Sequence, residues 1–216
     1  MSLFNATVPV FTHNLKNLSA ILKIAEQDAK KRNIDPSVFL NARLSPDMFP
    51  LLRQVQIATD HAKGCPARLA GVEAPKLEDN EATFAQLQAR IKTVLAFLKT
   101  LKASQFEGCS ERTIEMKLPI GVLSFSGTDY VNGWVLPNFY FHMTTAYALL
   151  RANGVQLGKL NFLGMVPGMT ATGKVAKMMG IPEPKKAAPK KSPAEKVPAK
   201  TAPTKKSAGK KSTTSN

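Results

Sequence analysis

The chain has 216 residues, of which 44% are hydrophobic, and its formal net charge is +15 at pH 7. This length suits one globular domain with an appendage, and the apolar content is ample for a sizeable core. The only cysteines, Cys65 and Cys109, form no CxxC pair, which argues against a disulfide scaffold or a zinc finger and favours a reducing compartment.

Neither a secretory signal nor a membrane span is expected. The N-terminus has no basic segment ahead of an apolar run. The longest apolar stretch, residues 134–150, is interrupted by Pro137 and several polar side chains and falls short of the roughly 20 residues that a span requires. We therefore expect no membrane association and a cytoplasmic location, or a nuclear one if the source is eukaryotic.

Three segments carry apolar residues at alternating spacings of three and four, which is typical of a helix with one buried face. The first stripe is Val8, Phe11, Leu15, Leu18, Leu22 and Ala25. The second is Met48, Leu51, Val55, Ala58, Ala62 and Leu69. The third is Phe84, Leu87, Ile91, Val94, Leu98 and Leu101. Helices of this kind bury their stripes against one another as a bundle.

Turn and capping residues predict where these helices begin and end. Asn33, followed by Asp35-Pro36, predicts the end of the first helix. The second is expected to begin at Pro46 with Ser45 as its N-cap. Asn80 is a plausible N-cap for the third.

A β-hairpin is predicted between the third and fourth helices because the apolar period changes to two. Apolar residues alternate with polar ones over 114–118 and again over 123–125, and Pro119-Ile120-Gly121 supplies the turn.

The fourth helix is expected to begin near Thr128 or Asp129 and to end at Asn153-Gly154. Its apolar residues lie nearly all round, which predicts the most buried helix of the four. Pro137 inside it predicts a kink or a split.

The C-terminal part changes character after Gly164. Residues 165–181 are expected to form a segment that connects the bundle to the tail. One weak helical turn at 174–179 is expected in it, as a candidate for docking on the bundle. Residues 182–216 carry ten lysines, no arginine and no aromatic residue, a composition that cannot offset its ordering entropy by burial. We expect a disordered basic tail, which either associates with nucleic acid or another polyanion without sequence preference or acts only as a solubilising appendage.

The three histidines differ in their helical phase. His13 falls opposite the apolar stripe of the first helix and is expected at the surface. His61 falls beside the stripe of the second helix, where it either flanks the core or points outward. His142 lies inside an aromatic and apolar run, so its imidazole needs either a metal or a hydrogen-bond partner such as Gln54 or Gln56.

These residues also suggest a small polar pocket. It would be lined by Gln54, His61, His142 and one of Tyr140 or Tyr147, with Gln56 as a further candidate. The alternative is that the tyrosines are ordinary aromatic filling. No P-loop, GxGxxG, HExxH or Ser-His-Asp order is present, so no enzyme class is specified.

Three blocks of the sequence resemble a known family: LSPDMFPLLRQVQIATDHAKG at 44–64, FAQLQARI at 84–91 and LPNFYFHMTTAYALLRANGVQLGKLNFLG at 136–164. The family, of unknown function, belongs to the DinB/YfiT-like superfamily of four-helix bundles. The resemblance covers residues 1–164 and implies an all-α four-helix bundle with a small hairpin insertion and the basic tail beyond it.

The resemblance also implies a metal site. Superfamily members typically bind a divalent metal through one histidine on the second helix and an HxxxH pair on the last helix. His142 matches the first histidine of that pair, but the residue four later is Ala146. His61 would supply the ligand on the second helix, or Gln54 or Gln56 would replace it.

Three functions therefore stay open. The first is an uncharacterised bundle with a polar pocket around His142 and an incomplete metal triad. The second is a transferase or hydrolase that acts on a thiol or small electrophile with one divalent Zn, Ni, Fe or Mn, held by His142 and His61. The third is association with nucleic acid through residues 182–216. A homodimer is expected.

Overall fold

The computed structural model describes residues 2–181. The described residues divide into two units, residues 2–169 and residues 170–181. The predicted disordered tail, residues 182–216, lies outside the described residues.

The first unit is a bundle of four long helices with shorter elements between them. In chain order its helices are α1 (Leu3–Arg32), α2 (Pro36–Leu40), α3 (Leu51–Ala70), α4 (Phe84–Thr100), α5 (Gly127–Asp129), α6 (Leu136–Ala152) and α7 (Lys159–Leu163). The long helices are α1, α3, α4 and α6, and α3 packs against each of the other three. Each of the four long helices buries polar groups as well as apolar ones, and α3 buries Gln54, Gln56 and Thr59.

The predicted stripes form the core of this bundle. All residues of the first and third stripes are buried, and so is every residue of the second except Met48. Full burial of one Leu, Val or Phe side chain stabilises a fold by about 1.5–3 kcal/mol. The four long helices are therefore held together mainly by side chains that the sequence pattern identified.

The predicted start of the second long helix was wrong. α3 begins at Leu51 with Pro50 as its N-cap, so Met48 precedes the helix. The side chain of Ser45 donates instead to Asp47 in a turn. The reason is Pro50, because a proline disfavours helical geometry in the residue before it, here Phe49.

The predicted cap of the third long helix was also wrong. Thr83, not Asn80, precedes α4 and forms a reciprocal capping box with Gln86. The hydroxyl of Thr83 accepts from the Gln86 N–H at 3.2 Å, and the Gln86 side-chain oxygen accepts from the Thr83 N–H at 3.0 Å.

The predicted hairpin is confirmed. β1 (Thr113–Leu118) pairs antiparallel with β2 (Gly121–Ser126), and Met116 lies opposite Leu123. Pro119 and Ile120 form the turn. Gly121 has φ 149°, a backbone conformation that residues with a Cβ atom rarely adopt.

The last long helix is split next to Pro137, as predicted. The chain passes from α5 through a π-helical segment, Tyr130–Val135, into α6. α6 ends at Ala152 with Asn153 as its C-cap, also as predicted. The split helix begins at α5, whose N-cap is Ser126 rather than Thr128 or Asp129. Helix α6 is not the most buried helix, because Tyr140 is 38% and Phe141 55% exposed while α3 buries more of its residues.

The described part of the second unit contains one helix, α8 (Gly173–Met179), at the place where a weak helical turn was expected.

Candidate functional site

His142 lies on α6 facing α3 and is 8% exposed. Its Nδ1 is 2.6 Å from the side-chain oxygen of Gln54 on α3. The amide nitrogen of Gln54 donates to the Phe49 carbonyl at 2.9 Å, which leaves its oxygen directed at the imidazole. That oxygen can only accept, so Nδ1 carries the proton and Nε2 keeps a free lone pair.

His61 lies on the same face of α3 as Gln54, two helical turns further along, and next to His142. The two imidazole rings are nearly parallel, at 19°, with their centroids 6.2 Å apart. His61 is half-buried, so it borders the core and remains reachable from solvent. The sequence had left open whether it flanks the core or points outward, and the structure places it at the edge of the core.

Both imidazoles are held in the neutral form. Burial, the neighbouring His142 and Arg68 together lower the pKa of His61 to about 4. Burial and the positive charge of Arg53 lower the pKa of His142 from its ordinary value. At neutral pH the pair therefore offers ring nitrogens as acceptors, and a group with a pKa near 4 takes up few protons there.

The other predicted pocket residues do not join this pair. The side chain of Gln56 donates to Glu81 at 2.7 Å and accepts from Arg53 at 3.0 Å. The hydroxyl of Tyr147 donates to the Leu157 carbonyl at 3.5 Å.

Neither Tyr140 nor His13 points toward the pair formed by His61 and His142. Tyr140 contacts α1, and His13, which lies on α1, contacts the segment after α6. The hydroxyl of Tyr140 accepts from Asn14 on α1 at 3.5 Å. His13, which was expected at the surface, is half-buried on α1, where its Nε2 lies 2.7 Å from the Leu163 carbonyl. Three histidines thus do not converge, and only Gln54, His61 and His142 come together.

Comparison with known proteins identifies the family of this chain and a solved structure that it resembles. A family model described as a domain of unknown function, DUF1993, matches residues 3–163. The chain belongs to the DUF1993 family. The DUF1993 domain is also 42% identical to a DinB family member protein from Shewanella denitrificans whose crystal structure has been solved, with a TM-score of 0.71. That match covers 78% of this chain and 96% of the other.

These findings confirm the DinB-like family and the four-helix fold that the three sequence blocks predicted. No curated protein matches the chain. Among the helices of residues 2–181, none is long and apolar enough to cross a membrane.

The DinB-like metal centre can be tested against the residues that the DUF1993 domain has in its place. Ala146, at the position where the resemblance implies a third ligand, is fully buried and offers a methyl group instead of an imidazole. Within residues 2–181, no three His, Cys, Asp or Glu side chains are grouped to hold a metal ion. A tight zinc site usually has three or four protein ligands. The residues present do not fit a three-ligand centre.

A second polar cluster, which the sequence analysis missed, lies on the other side of α3. Arg90 on α4 is 2% exposed, and its guanidinium contacts three carboxylates: Asp60 at 2.6 Å, Asp79 at 2.7 Å and Glu81 at 3.0 Å. Its Nε donates to the hydroxyl of Thr59 at 2.6 Å.

This cluster ties the loop between α3 and α4 to both helices. Arg53 adds a second cation, because it bonds Asp79 at 2.6 Å. One signal in the sequence could have revealed the cluster: Arg90 lies one helical turn from Leu87 and from Val94, so it interrupts the buried side of the third stripe.

A cavity of about 590 Å³ lies elsewhere, between α1 and α4. It is lined by apolar side chains, by the neutral polar pair Ser19 and Gln88, and by three lysines, Lys23, Lys92 and Lys99. It contains no histidine or carboxylate, so it is separate from both polar clusters.

Proposed function

We propose that the DUF1993 bundle binds a small polar ligand at Gln54, His61 and His142, between α3 and α6, and that it does so without a three-histidine metal centre. The ligand would donate a hydrogen bond to a neutral imidazole nitrogen.

The observation that carries the proposal is the commitment of His142 Nδ1 to Gln54. That bond fixes one tautomer and orients the ring, so that Nε2 is a fixed acceptor rather than a freely rotating one. His61 supplies a second neutral imidazole beside it. Since His61 is half-buried, a ligand can reach the pair from solvent.

Electrostatics favour a ligand without positive charge. Arg53 and Arg68 are close enough to lower the pKa values of His142 and His61. The same positive charges would oppose a bound cation. Binding is favoured over proton transfer, because a base with a pKa near 4 is a poor proton acceptor at neutral pH.

Zinc titration of the full chain, purified without chelator, tests the absence of the three-ligand centre. The wild type is expected to bind zinc weakly, and Ala146→His, which restores the HxxxH spacing, is expected to tighten binding by at least about tenfold. Because a histidine at this buried position can disturb packing, Ala146→Asp serves as a second variant, and thermal melting checks the fold of both. Near-stoichiometric metal in the wild type that disappears in His61→Ala would overturn the proposal in favour of the metal-dependent transferase or hydrolase.

Ligand-observed NMR with a library of small polar molecules tests the binding itself. Compounds that bind the wild type are expected to lose binding in His61→Ala and to keep it in Tyr147→Phe, the matched control at a hydroxyl that bonds Leu157 instead. Compounds that bind both variants equally would show that the histidine pair is not the site.

A second candidate function rests on composition alone. The ten lysines of residues 182–216 favour weak, sequence-independent binding to nucleic acid. The logarithm of the binding constant should fall by roughly 0.7–0.9 per log unit of salt concentration for each phosphate that the lysines neutralise. A full-length variant with these lysines changed to glutamine is expected to lose DNA binding in a gel-shift titration. Unchanged binding would assign it to the bundle.

A further inference from the structure

We infer that the outer edge of β1 pairs with the same edge of a second copy of this chain, which joins two hairpins into a four-stranded sheet across a two-fold axis. Within residues 2–181 the hairpin is a sheet of only two strands. No backbone hydrogen bond of the described residues reaches the outer side of β1. A two-stranded sheet is marginal by itself, and an open edge presents unpaired N–H and C=O groups to another strand.

The hairpin turn decides which backbone groups point outward. The turn has two residues, and Leu118 pairs with Gly121 at its base. The residues that flank a two-residue turn hydrogen-bond to each other, and the direction alternates along the strand. The N–H and C=O groups of Glu115 and Lys117 therefore point away from β2. Both residues are exposed.

Charge then selects one register. A two-fold axis at Met116 places Glu115 opposite Lys117 of the second copy, and symmetry repeats that pair. An axis at Glu115 or at Lys117 would place like charges opposite each other, which is unfavourable. A shift by one residue would bring together side chains from opposite faces of the sheet. Pro119 has no N–H and so ends the pairing on each side.

β1 is favoured over β2 because β2 carries no charged residue that could fix a register. The hairpin tip also has apolar surface to cover: Leu118 is 39%, Ile120 96% and Val122 55% exposed. In the Met116-centred register each Leu118 lies opposite Ile114 of the second copy. The tip of each hairpin therefore lies beside the base of the other hairpin in the joined sheet.

Charge exchange tests this pairing in the full chain. Glu115→Lys and Lys117→Glu each turn two attractive pairs into two repulsive ones, and each should weaken self-association at least about tenfold in sedimentation velocity. The double variant Glu115→Lys/Lys117→Glu restores opposite charges and should return to within about threefold of the wild type. Lys92→Glu, at an exposed lysine of α4, is the matched control for the change in net charge of Lys117→Glu and should have no effect.

Charged side chains on an edge strand can also serve to prevent sheet pairing, and the same experiment separates the two roles. A wild type that stays monomeric at high concentration would overturn the inference. So would single variants that associate like the wild type, or a double variant as weak as the singles. Amide exchange at Glu115 and Lys117 gives an independent reading, since their protection should rise with protein concentration only if this edge pairs. Circular dichroism shows that each variant remains folded.

Discussion

Replacing Arg90 with methionine should destabilise the bundle by about 3–4 kcal/mol. The guanidinium is completely buried and bonds three carboxylates, and a hydrogen bond to a charged group contributes about 1.5–3 kcal/mol. Their sum would overestimate the effect, because Asp60 and Asp79 are 36% and 35% exposed and regain water when the cation is lost. Glu81 is only 10% exposed and would be left without a cation. Breaking a buried ion pair by removing one partner typically costs about 3–5 kcal/mol, and we place this case at the lower end.

Urea unfolding followed by circular dichroism measures the change, and thermal melting should show a fall of roughly 10 °C for a chain of this size. Methionine keeps the length and apolar stem of the side chain, so the difference reports the charge and its hydrogen bonds. Arg53→Met is the matched control: its guanidinium is 37% exposed and bonds Asp79, and an exposed pair contributes at most about 1 kcal/mol. An Arg90→Met chain as stable as Arg53→Met would refute the view that this cation secures the loop between α3 and α4.

Three further predictions concern acid sensitivity, backbone packing and an unpaired donor. Burial alone would raise the pKa values of Asp79 and Glu81, but hydrogen bonds from arginine and glutamine side chains outweigh it and hold both below their ordinary values of 3.8 and 4.5. The two carboxylates therefore contribute their full stabilisation above about pH 5, and it is lost as the pH falls through their lowered pKa values. Below pH 5 the urea concentration at the unfolding midpoint should fall in the wild type and should fall less in Arg90→Met. An equal fall in both proteins would contradict this prediction. Gly127→Ala should destabilise the fold strongly in the same assay, because an added Cβ would lie 1.9 Å from the carbonyl oxygen of Cys109. An unchanged urea midpoint would show that the backbones at Gly127 and Cys109 do not stay this close in solution. Trp134→Phe should lower the free energy of unfolding by less than about 1 kcal/mol in urea. The buried indole N–H has no acceptor within residues 2–181, so removing it offsets part of the lost packing. A decrease above about 3 kcal/mol would imply that the N–H is hydrogen-bonded.

The residues around His142 illustrate why a shared fold does not by itself define a site. The helices bring the rings of His142 and His61 together, and both residues match ligand positions that the family resemblance implies. Ala146, at the third implied position, is fully buried and carries no ligating atom. Family membership alone does not establish the chemistry, so the site has to be interpreted from its own residues.

Local sequence determined most of the architecture. Spacings of three and four along α1 and α4 identified side chains that are all buried, and the change to period two identified the hairpin with its register-setting turn. Asn33 and Asn153 marked helix ends correctly because a C-terminal cap depends on a few adjacent residues. The starts of α3 and α4 were placed wrongly, since several residues near each start could act as a cap and neighbouring Pro50 or Gln86 decided between them.

Tertiary structure alone decided which polar side chains meet. His142 had two glutamines available in sequence, and the crossing of α3 with α6 selected Gln54, while Gln56 turned to Glu81 on another face of the same helix. The carboxylates around Arg90 come from α3 and from a loop that no periodic pattern describes. Apolar burial follows a local repeat and is visible in one segment at a time, whereas a hydrogen bond or ion pair between distant segments depends on how those segments pack.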